Sequence, residues 1–220
     1  MSTAFDKKRF HERLKTQFLG RTLICRESVG STQDLAREEA RKGAAEGTIV
    51  LAEEQTKGRG RLGRAWVSPP GENIYATLLL RPELGVLRYL SMIAPLAIAQ
   101  AVEEETGLAV AIKWPNDIMI SGRKLAGVLI ESELREERVE YSLVGMGVNV
   151  NLAPQRFPEI EASATSLKEQ TGKETTREEF LATLLNRFEG LYLAAKHGEP
   201  PYKAWRERLE TLGKSVQVTW

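Results

Sequence analysis

The segment from Gln55 to Trp66 combines residue types that suit the binding of a negatively charged ligand. It reads Gln-Thr-Lys-Gly-Arg-Gly-Arg-Leu-Gly-Arg-Ala-Trp, with arginines at Arg59, Arg61 and Arg64. Glycines let a backbone approach a ligand closely, and arginines are permanently charged planar donors for phosphate and carboxylate groups. The segment therefore predicts a flexible anion-binding loop. A solvated basic turn and a nucleic-acid-binding arm of the arginine–glycine kind are the alternatives.

The glycines between Gly58 and Gly63 also satisfy the G-x-G-x-x-G spacing of dinucleotide-binding turns. That fingerprint requires a helix that begins within it. Here Pro69-Pro70-Gly71 follows closely, and prolines interrupt helices. We therefore reject a dinucleotide site at this position.

Two further segments place polar side chains near strand ends. The first is Lys113–Asp117, with the sequence Lys-Trp-Pro-Asn-Asp. It ends a predicted strand, because the residue before a proline is held extended. The amide and the carboxylate that follow the proline are suited to contacts with a polar ligand. Gly122–Gly127 places Lys124 at the start of an apolar strand, three residues before a glycine that leaves room for a ligand. The alternatives are a plain turn for the first segment and an edge-protecting lysine for the second.

The elements that must position these residues have a mixed order and not a regular βαβ alternation, which indicates an α+β fold. Helices are predicted around Phe10–Phe18, from Ser31 to Gly43, from Leu87 to Glu105 with Gly107 as its end, from about Thr175, and after Pro201. Strands are predicted at 22–25, 48–52, 73–80, 109–113, 118–120, 125–131 and 139–149, with a hairpin at 135–138. Ser31 is predicted to cap its helix with Asp34 as the return partner of a capping box. This density of strands implies a central sheet.

Composition limits the classes of function. The 220 residues carry 31 Lys plus Arg and 30 Asp plus Glu, so a net charge of +1 gives no general attraction to nucleic acid or anionic membranes. One cysteine and two histidines cannot supply the usual zinc ligand sets. The start of the chain is charged, and the most apolar run, 92–102, is too short to span a bilayer. We expect a cytoplasmic protein without a membrane or nucleic-acid partner.

Taken together, these segments resemble the biotin-protein ligase family. The likeness runs from about residue 21 to the end, and six pieces in the same order and spacing make it specific. The pieces are Gly30–Gln33, Gly58–Arg64, Lys113–Asp117, Arg123–Gly127, Gly145–Asn149 and Ala164–Leu167. The resemblance implies a central mixed β-sheet flanked by helices, of the class II synthetase-like kind, with the glycine–arginine loop folding over the ligands.

The resemblance also implies a two-step ligase reaction. ATP would activate biotin to biotinyl-5′-AMP, and a lysine of a biotin carboxyl carrier protein, such as that of acetyl-CoA carboxylase, would accept the biotinyl group. Mg²⁺ would accompany ATP, although the sequence does not identify its ligands. Moving a carboxylate against a triphosphate requires positive charge, which arginines and a lysine supply.

The family pattern carries over to individual positions of this chain. The implied catalytic residues are Lys124 and Arg61. The implied biotin-binding residues are Ser31, Thr32, Gln33, Gln55, Arg59, Gly60, Arg61, Lys124 and Gly127. The implied nucleotide-binding residues are Gly58, Arg59, Arg61, Trp66, Asn116, Lys124 and Asn149. Hydroxyls and amides suit the ureido ring of biotin, while Ser31 as a helix cap alone and Trp66 as a core residue are the structural alternatives.

The expected organisation is an extension at 1–20, a catalytic domain at 21–211, and the start of a small SH3-like β domain at 212–220. Family members with an N-terminal winged helix bind DNA, and the twenty residues here are too few for one, so we expect no repressor activity. Rival functions are a lipoate-protein ligase, a catalytically inactive domain and a nucleic-acid-binding module. Pairing of strand edges into a homodimer stays open.

Overall fold

A seven-stranded mixed sheet organises the chain in this computed structural model, which describes residues 4–215. The strands are β1 Leu23–Val29, β2 Ile49–Gln55, β3 Ile74–Leu80, β4 Ala111–Lys113, β5 Asp117–Ile120, β6 Arg123–Arg135 and β7 Arg138–Val148. They lie in the order β1-β2-β3-β7-β6-β5-β4. The β1–β2 pair is parallel and the other pairs are antiparallel, which confirms the mixed sheet.

Seven helices accompany the sheet in the described part of the chain. They are α1 Lys7–Arg13, α2 Thr32–Arg41, α3 Leu84–Leu87, α4 Leu90–Thr106, α5 Leu167–Thr171, α6 Arg177–Lys196 and α7 Tyr202–Glu207. Helix α4 ends at Gly107, whose left-handed φ of 71° closes the last turn, as predicted. None of the helices within residues 4–215 is both long and apolar enough to cross a membrane.

The main hydrophobic core lies between one face of the sheet and helices α1, α4 and α6. Ile93, Ala97 and Val102 of α4 and Phe180 and Phe188 of α6 are fully buried there. Every residue of α4 from 93 to 102 except Gln100 is buried, and this part of the helix is accordingly apolar on nearly every side. This face supplies most of the apolar burial that stabilises the fold.

Among the helices of ten or more residues within residues 4–215, only α2 packs on the opposite face of the sheet. A small cluster around Ala36, Ala40, Val50, Leu79 and Leu143 holds α2 against strands β2, β3 and β7. Ser31 caps this helix, since its Oγ accepts from the backbone N–H of Gln33 at 3.3 Å. The rest of this face is left to the loop between β2 and β3.

Several sequence predictions need correction. Helix α1 ends at Arg13, and Leu14 is already extended, so Phe18 packs on the core from a loop. The helix predicted from Leu87 begins at Leu90, after the short α3. Asp34 does not return to the cap of α2, because its carboxylate pairs with Arg37 and Arg59.

Two other predictions bear on the site. Lys124 is not on a sheet edge, since β6 lies between β7 and β5, and the edge-protection reading is therefore wrong. The glycine–arginine segment forms a loop with a 3₁₀ turn at Arg61–Gly63 and leads into β3 instead of a helix, which confirms the rejection of a dinucleotide site. Of the small β domain predicted to start at 212–220, residues 216–220 lie outside the described residues.

Candidate active site

Glycines form the floor of a depression on the α2 face of the sheet. Gly127 of β6 lies opposite Gly147 of β7, and Gly145 lies opposite Leu129 in the same strand pair. The indole of Trp66 lies directly on this floor: a Cβ at Gly147 would be 2.6 Å from the ring, and one at Gly127 would be 3.1 Å away. Only glycine leaves space for a flat group at such distances.

Lys124 lies beside this floor and faces a carboxylate. Its Nζ is 2.7 Å from Asp117 Oδ1 and 5.1 Å from the centre of the Trp66 ring. About a third of the Lys124 side chain is exposed. The lysine thus presents a positive charge at the wall of the depression, held in place by an ion pair and an aromatic ring.

Backbone pairing fixes the position of Lys124 from its other side. Its N–H donates to Ser163 O at 2.8 Å, and its carbonyl accepts from Thr165 N at 2.9 Å. Asn149 is buried next to this pairing and donates from Nδ2 to Thr165 O at 3.0 Å. Asn149 therefore anchors the chain around Thr165 beside Lys124.

A chain of polar side chains joins the start of α2 to the β2–β3 loop. Thr77 donates to Thr32 Oγ1 at 2.9 Å, and both the hydroxyl and the backbone N–H of Thr32 donate to Gln55 Oε1, at 3.1 and 2.9 Å. Gln55 Nε2 then donates to Ser68 Oγ at 3.2 Å, and that hydroxyl donates to Trp66 O at 3.0 Å. The predicted biotin-side residues Thr32 and Gln55 are thus in one network with the loop that carries Trp66.

Gly58 is the point where this loop closes on itself. Its carbonyl accepts from Trp66 N at 2.9 Å, and a Cβ at this position would be 2.6 Å from Trp66 O and 2.7 Å from Ser68 Oγ. A neighbouring bond from Gly60 N to Arg64 O, 2.7 Å long, completes the turn. A side chain at Gly58 would therefore move the tryptophan.

Two arginines of the loop contact different segments: Arg59 contacts helix α2, and Arg61 contacts the turn before β5. Arg59 pairs with Asp34 of α2 at 2.6 Å, and Arg37 contacts the same carboxylate oxygen at 2.8 Å. Partial burial raises the pKa of Asp34, but the hydrogen bonds and charges of Arg59 and Arg37 outweigh it and lower that pKa below its ordinary value. Arg37 also contacts Glu131 of β6 at 2.6 Å.

Arg61 reaches the turn between β4 and β5, directly after the cis peptide bond between Trp114 and Pro115. Its Nη1 donates to Asn116 Oδ1 at 3.3 Å, and Asn116 Nδ2 donates to Val128 O at 2.9 Å. A cavity of about 240 Å³ opens between Arg61, Asn116 and Leu129. The predicted nucleotide-side residues Arg61 and Asn116 therefore meet at a cavity with mixed polar and apolar walls.

The structure brings most of the predicted site residues together on the α2 face. Thr32 and Gln55 are joined by hydrogen bonds to the loop that carries Trp66, and the Trp66 ring lies against Gly127 and Lys124. Arg61 and Asn116 meet at a cavity. Ser31 is buried and caps α2, and its contact with biotin stays a prediction.

Sequence reasoning assigned no role to several residues of the site. Asp117 stands in a segment that the sequence singled out, yet its pairing with Lys124 depends on the register of β5 and β6. The sequence held one indication of a role for Thr77: β3 is otherwise apolar and buried, and its hydroxyls are those of Thr77 and Tyr75. The sequence held no indication of a role for Glu131.

No group of three or more His, Cys, Asp or Glu side chains that could hold a metal ion occurs within residues 4–215. Asp117, the carboxylate beside Lys124, is already engaged by that lysine. A Mg²⁺ that arrived with a triphosphate would keep phosphate oxygens and water as its main ligands.

Comparison with known proteins agrees with this geometry. A family model described as "Biotin/lipoate A/B protein ligase family" matches residues 26–149. The bifunctional ligase/repressor BirA of Bacillus subtilis is 40% identical over 210 residues, which are 93% of this chain and 65% of the relative. The biotin–[acetyl-CoA-carboxylase] ligase of Paracoccus denitrificans is 40% identical over 171 residues, 74% of this chain and 65% of that protein.

Solved structures give the same result for the fold. The biotin protein ligase from Aquifex aeolicus in complex with biotin and ATP superposes with a TM-score of 0.75 and 34% identity, covering 88% of this chain and 80% of the other. The chain spans 65% of the length of the two curated relatives.

Proposed function

The chain belongs to the biotin/lipoate A/B protein ligase family, and we propose on this basis that it activates biotin with ATP to biotinyl-5′-AMP and transfers the biotinyl group to a protein lysine. The observation that carries the proposal is Lys124, whose Nζ stands 2.7 Å from Asp117 at a glycine floor that Trp66 covers. We infer that this cation is the group at which the carboxylate of biotin and the α-phosphate of ATP meet.

In the first step, a carboxylate oxygen of biotin attacks the α-phosphorus of ATP, and the bond to pyrophosphate breaks. The two reacting groups are both anionic, so the main task of the protein is to neutralise charge and align them. Lys124 is positioned to do this at the depression. Arg61 and Arg59 belong to the loop above it and add positive charge on the phosphate side.

In the second step, the amine of the acceptor lysine attacks the acyl carbon of the mixed anhydride. The bond to AMP breaks, and the amine loses a proton. Lys124 can stabilise the departing AMP in this step as well. The biotin oxygen that attacked the α-phosphorus in the first step leaves with AMP and carries negative charge there. The acceptor that we propose is the biotin carboxyl carrier domain of a biotin-dependent carboxylase, because the Paracoccus denitrificans relative is a biotin–[acetyl-CoA-carboxylase] ligase.

The polar network favours biotin over lipoate as the acyl substrate. Thr32 and Gln55 supply hydroxyl and amide groups in one hydrogen-bonded network, and such groups suit a ureido ring, which has both donors and acceptors. Lipoate has no such ring, and a site built for hydrogen bonds rejects a ligand that leaves them unmade. We also propose that Mg²⁺ enters with ATP, that the reaction takes place in the cytoplasm, and that no nucleic acid is required. Pairing of two copies into a homodimer stays a prediction.

A nucleic-acid-binding role is the second candidate, since the glycine–arginine loop is basic. The net charge of +1 and the pairing of Arg59 with Asp34 count against it. Binding to single-stranded DNA that weakened steeply with salt would favour this candidate, because phosphate contacts release counterions.

The decisive experiment measures biotin-dependent exchange of labelled pyrophosphate into ATP. It compares the unaltered chain with Lys124→Ala, and with Lys42→Ala as a control in which a surface lysine paired to Glu39 is lost. Exchange that requires biotin, is absent with lipoate and is lost only in Lys124→Ala would support the proposal. Exchange with lipoate in place of biotin, or an unaffected Lys124→Ala variant, would overturn it.

A further inference from the structure

The amide of Gln33 is held in one orientation by the residues around it. Gln33 follows the capped start of α2 and is 4% exposed. Its Nε2 donates to Glu131 Oε2 at 3.0 Å and lies 3.4 Å from Leu129 O. Both neighbours are acceptors, so only the nitrogen of the amide can face them.

This orientation leaves the oxygen of the Gln33 amide pointing over the glycine floor. Gln33 Oε1 is buried and has no hydrogen-bond partner among the described residues. A Cβ at Gly145 would be 3.2 Å from this oxygen. A buried acceptor without a partner is costly, which indicates that a donor from a ligand occupies the position during function.

Glu131 is itself fixed by a chain of charges. Arg37 donates to the same oxygen, Glu131 Oε2, at 2.6 Å, and its other nitrogen reaches Asp34 at 2.8 Å. Asp34 in turn pairs with Arg59 of the loop at 2.6 Å. Two cations and two anions thus alternate from the loop to Gln33, and each carboxylate has its place set by an arginine.

We propose that Glu131 is a positioning residue that fixes the amide of Gln33, so that the substrate pocket presents a hydrogen-bond acceptor to the N–H groups of the ureido ring. This inference rests on the proposed function, since biotin supplies those N–H groups. Glu131 determines the polarity of that pocket wall without contacting the substrate. If the amide turned over, an NH₂ group would face the two ureido donors and repel them.

The contacts of Glu131 with Gln33 and Arg37 determine which substitutions test its positioning role. Arg37 and Gln33 both use one oxygen of Glu131, so the single carbonyl oxygen of a glutamine can replace it. Glu131→Gln is therefore the conservative rescue. Glu131→Met removes the acceptor while keeping an unbranched side chain of similar length, and Glu133→Met is the matched control at an exposed position of the same strand.

The test is calorimetry with biotin alone on the unaltered chain, Glu131→Met, Gln33→Met, the double variant, Glu131→Gln and Glu133→Met. One lost hydrogen bond from a buried acceptor corresponds to about a tenfold weaker Kd. We expect that loss in Glu131→Met, a near-normal Kd in Glu131→Gln and Glu133→Met, and no further loss when Glu131→Met is added to Gln33→Met.

The double variant distinguishes positioning from a general structural role. If Glu131 only supported the fold, its replacement would weaken biotin binding by the same factor in both backgrounds, and that result would overturn the inference. An unchanged Kd in Glu131→Met would do the same. Failure of the unaltered chain to bind biotin would instead overturn the proposed function, so the two failures can be told apart.

Discussion

The two faces of the sheet are built on opposite principles. On the α4–α6 face, large apolar side chains such as Phe180, Phe188 and Ile93 are fully buried. On the α2 face, the sheet presents glycines at 127, 145 and 147, and charged or amide side chains surround them. The first face stabilises the fold, and the second leaves a depression for a ligand, which a packed core could not provide.

The largest expected effect tests the apolar face alone. Replacing Phe188 by alanine removes a fully buried ring from α6, far along the chain from the site residues. We expect the free energy of unfolding to fall by about 3–5 kcal/mol, the usual cost of such a cavity. Urea denaturation would measure it, with the exposed Arg187→Ala as a control, and the Kd for biotin should stay unchanged where the variant is folded.

The next effect tests the α2 face alone. Lys124→Ala should lower biotin-dependent pyrophosphate exchange by about 100- to 1000-fold, the range found when a charge-stabilising donor is removed. Removal of Lys124 also leaves Asp117, which is about a quarter exposed, without its ion-pair partner, so the free energy of unfolding should fall by about 1–3 kcal/mol, less than for Phe188→Ala. A large drop in stability with modest loss of exchange would mean that Lys124 is structural and that the contrast between the faces fails.

A third substitution tests the floor on which Trp66 lies. Gly147→Ala would place a Cβ 2.6 Å from the indole, and the ring must move. We expect a loss of about 1–3 kcal/mol in unfolding free energy, as for other overpacked sites, together with reduced pyrophosphate exchange. Gly190→Ala in α6 is the control, since a Cβ there meets nothing within 4 Å and alanine favours a helix.

The sequence predicted those parts of the molecule that local signals determine. The hairpin of β6 and β7, the Ser31 cap and the glycine–arginine loop each follow from residues close together in the chain. The failures share a different cause. Helix α1 stops at Arg13 because tertiary packing places Leu14 and Phe18 on the core from an extended segment, which overrides their helical spacing.

The sequence predicted which types of residue form the site, but it did not predict most of the contacts between them. The glycines and cations of the loop were identified, but the pairing of Lys124 with Asp117 depends on a register shift between Ile118 and Met119 that no local pattern encodes. Asp34 was read as part of a capping box, whereas two arginines from different segments compete for its carboxylate. The spacing of residues therefore did not predict these contacts, because they depend on charge pairs between different segments of the folded chain.

The smallest expected effect concerns how the loop is tied to the α2 face. Asp34→Asn removes the carboxylate that Arg59 and Arg37 share, and we expect trypsin to cleave the loop at its arginines a few-fold faster at neutral pH, because local opening becomes easier. Glu38→Gln on the same helix is the control.

The pH dependence of the loop tests the same contact. Since the pKa of Asp34 is lowered in the folded chain, the ion pair between Asp34 and Arg59 is fully formed above the ordinary carboxyl range. It is lost only as pH falls through that lowered pKa. The loop should therefore show no change in protection between pH 5 and pH 8, as measured with a protease active across that range, and a loosening within this window would show that some other group holds the loop.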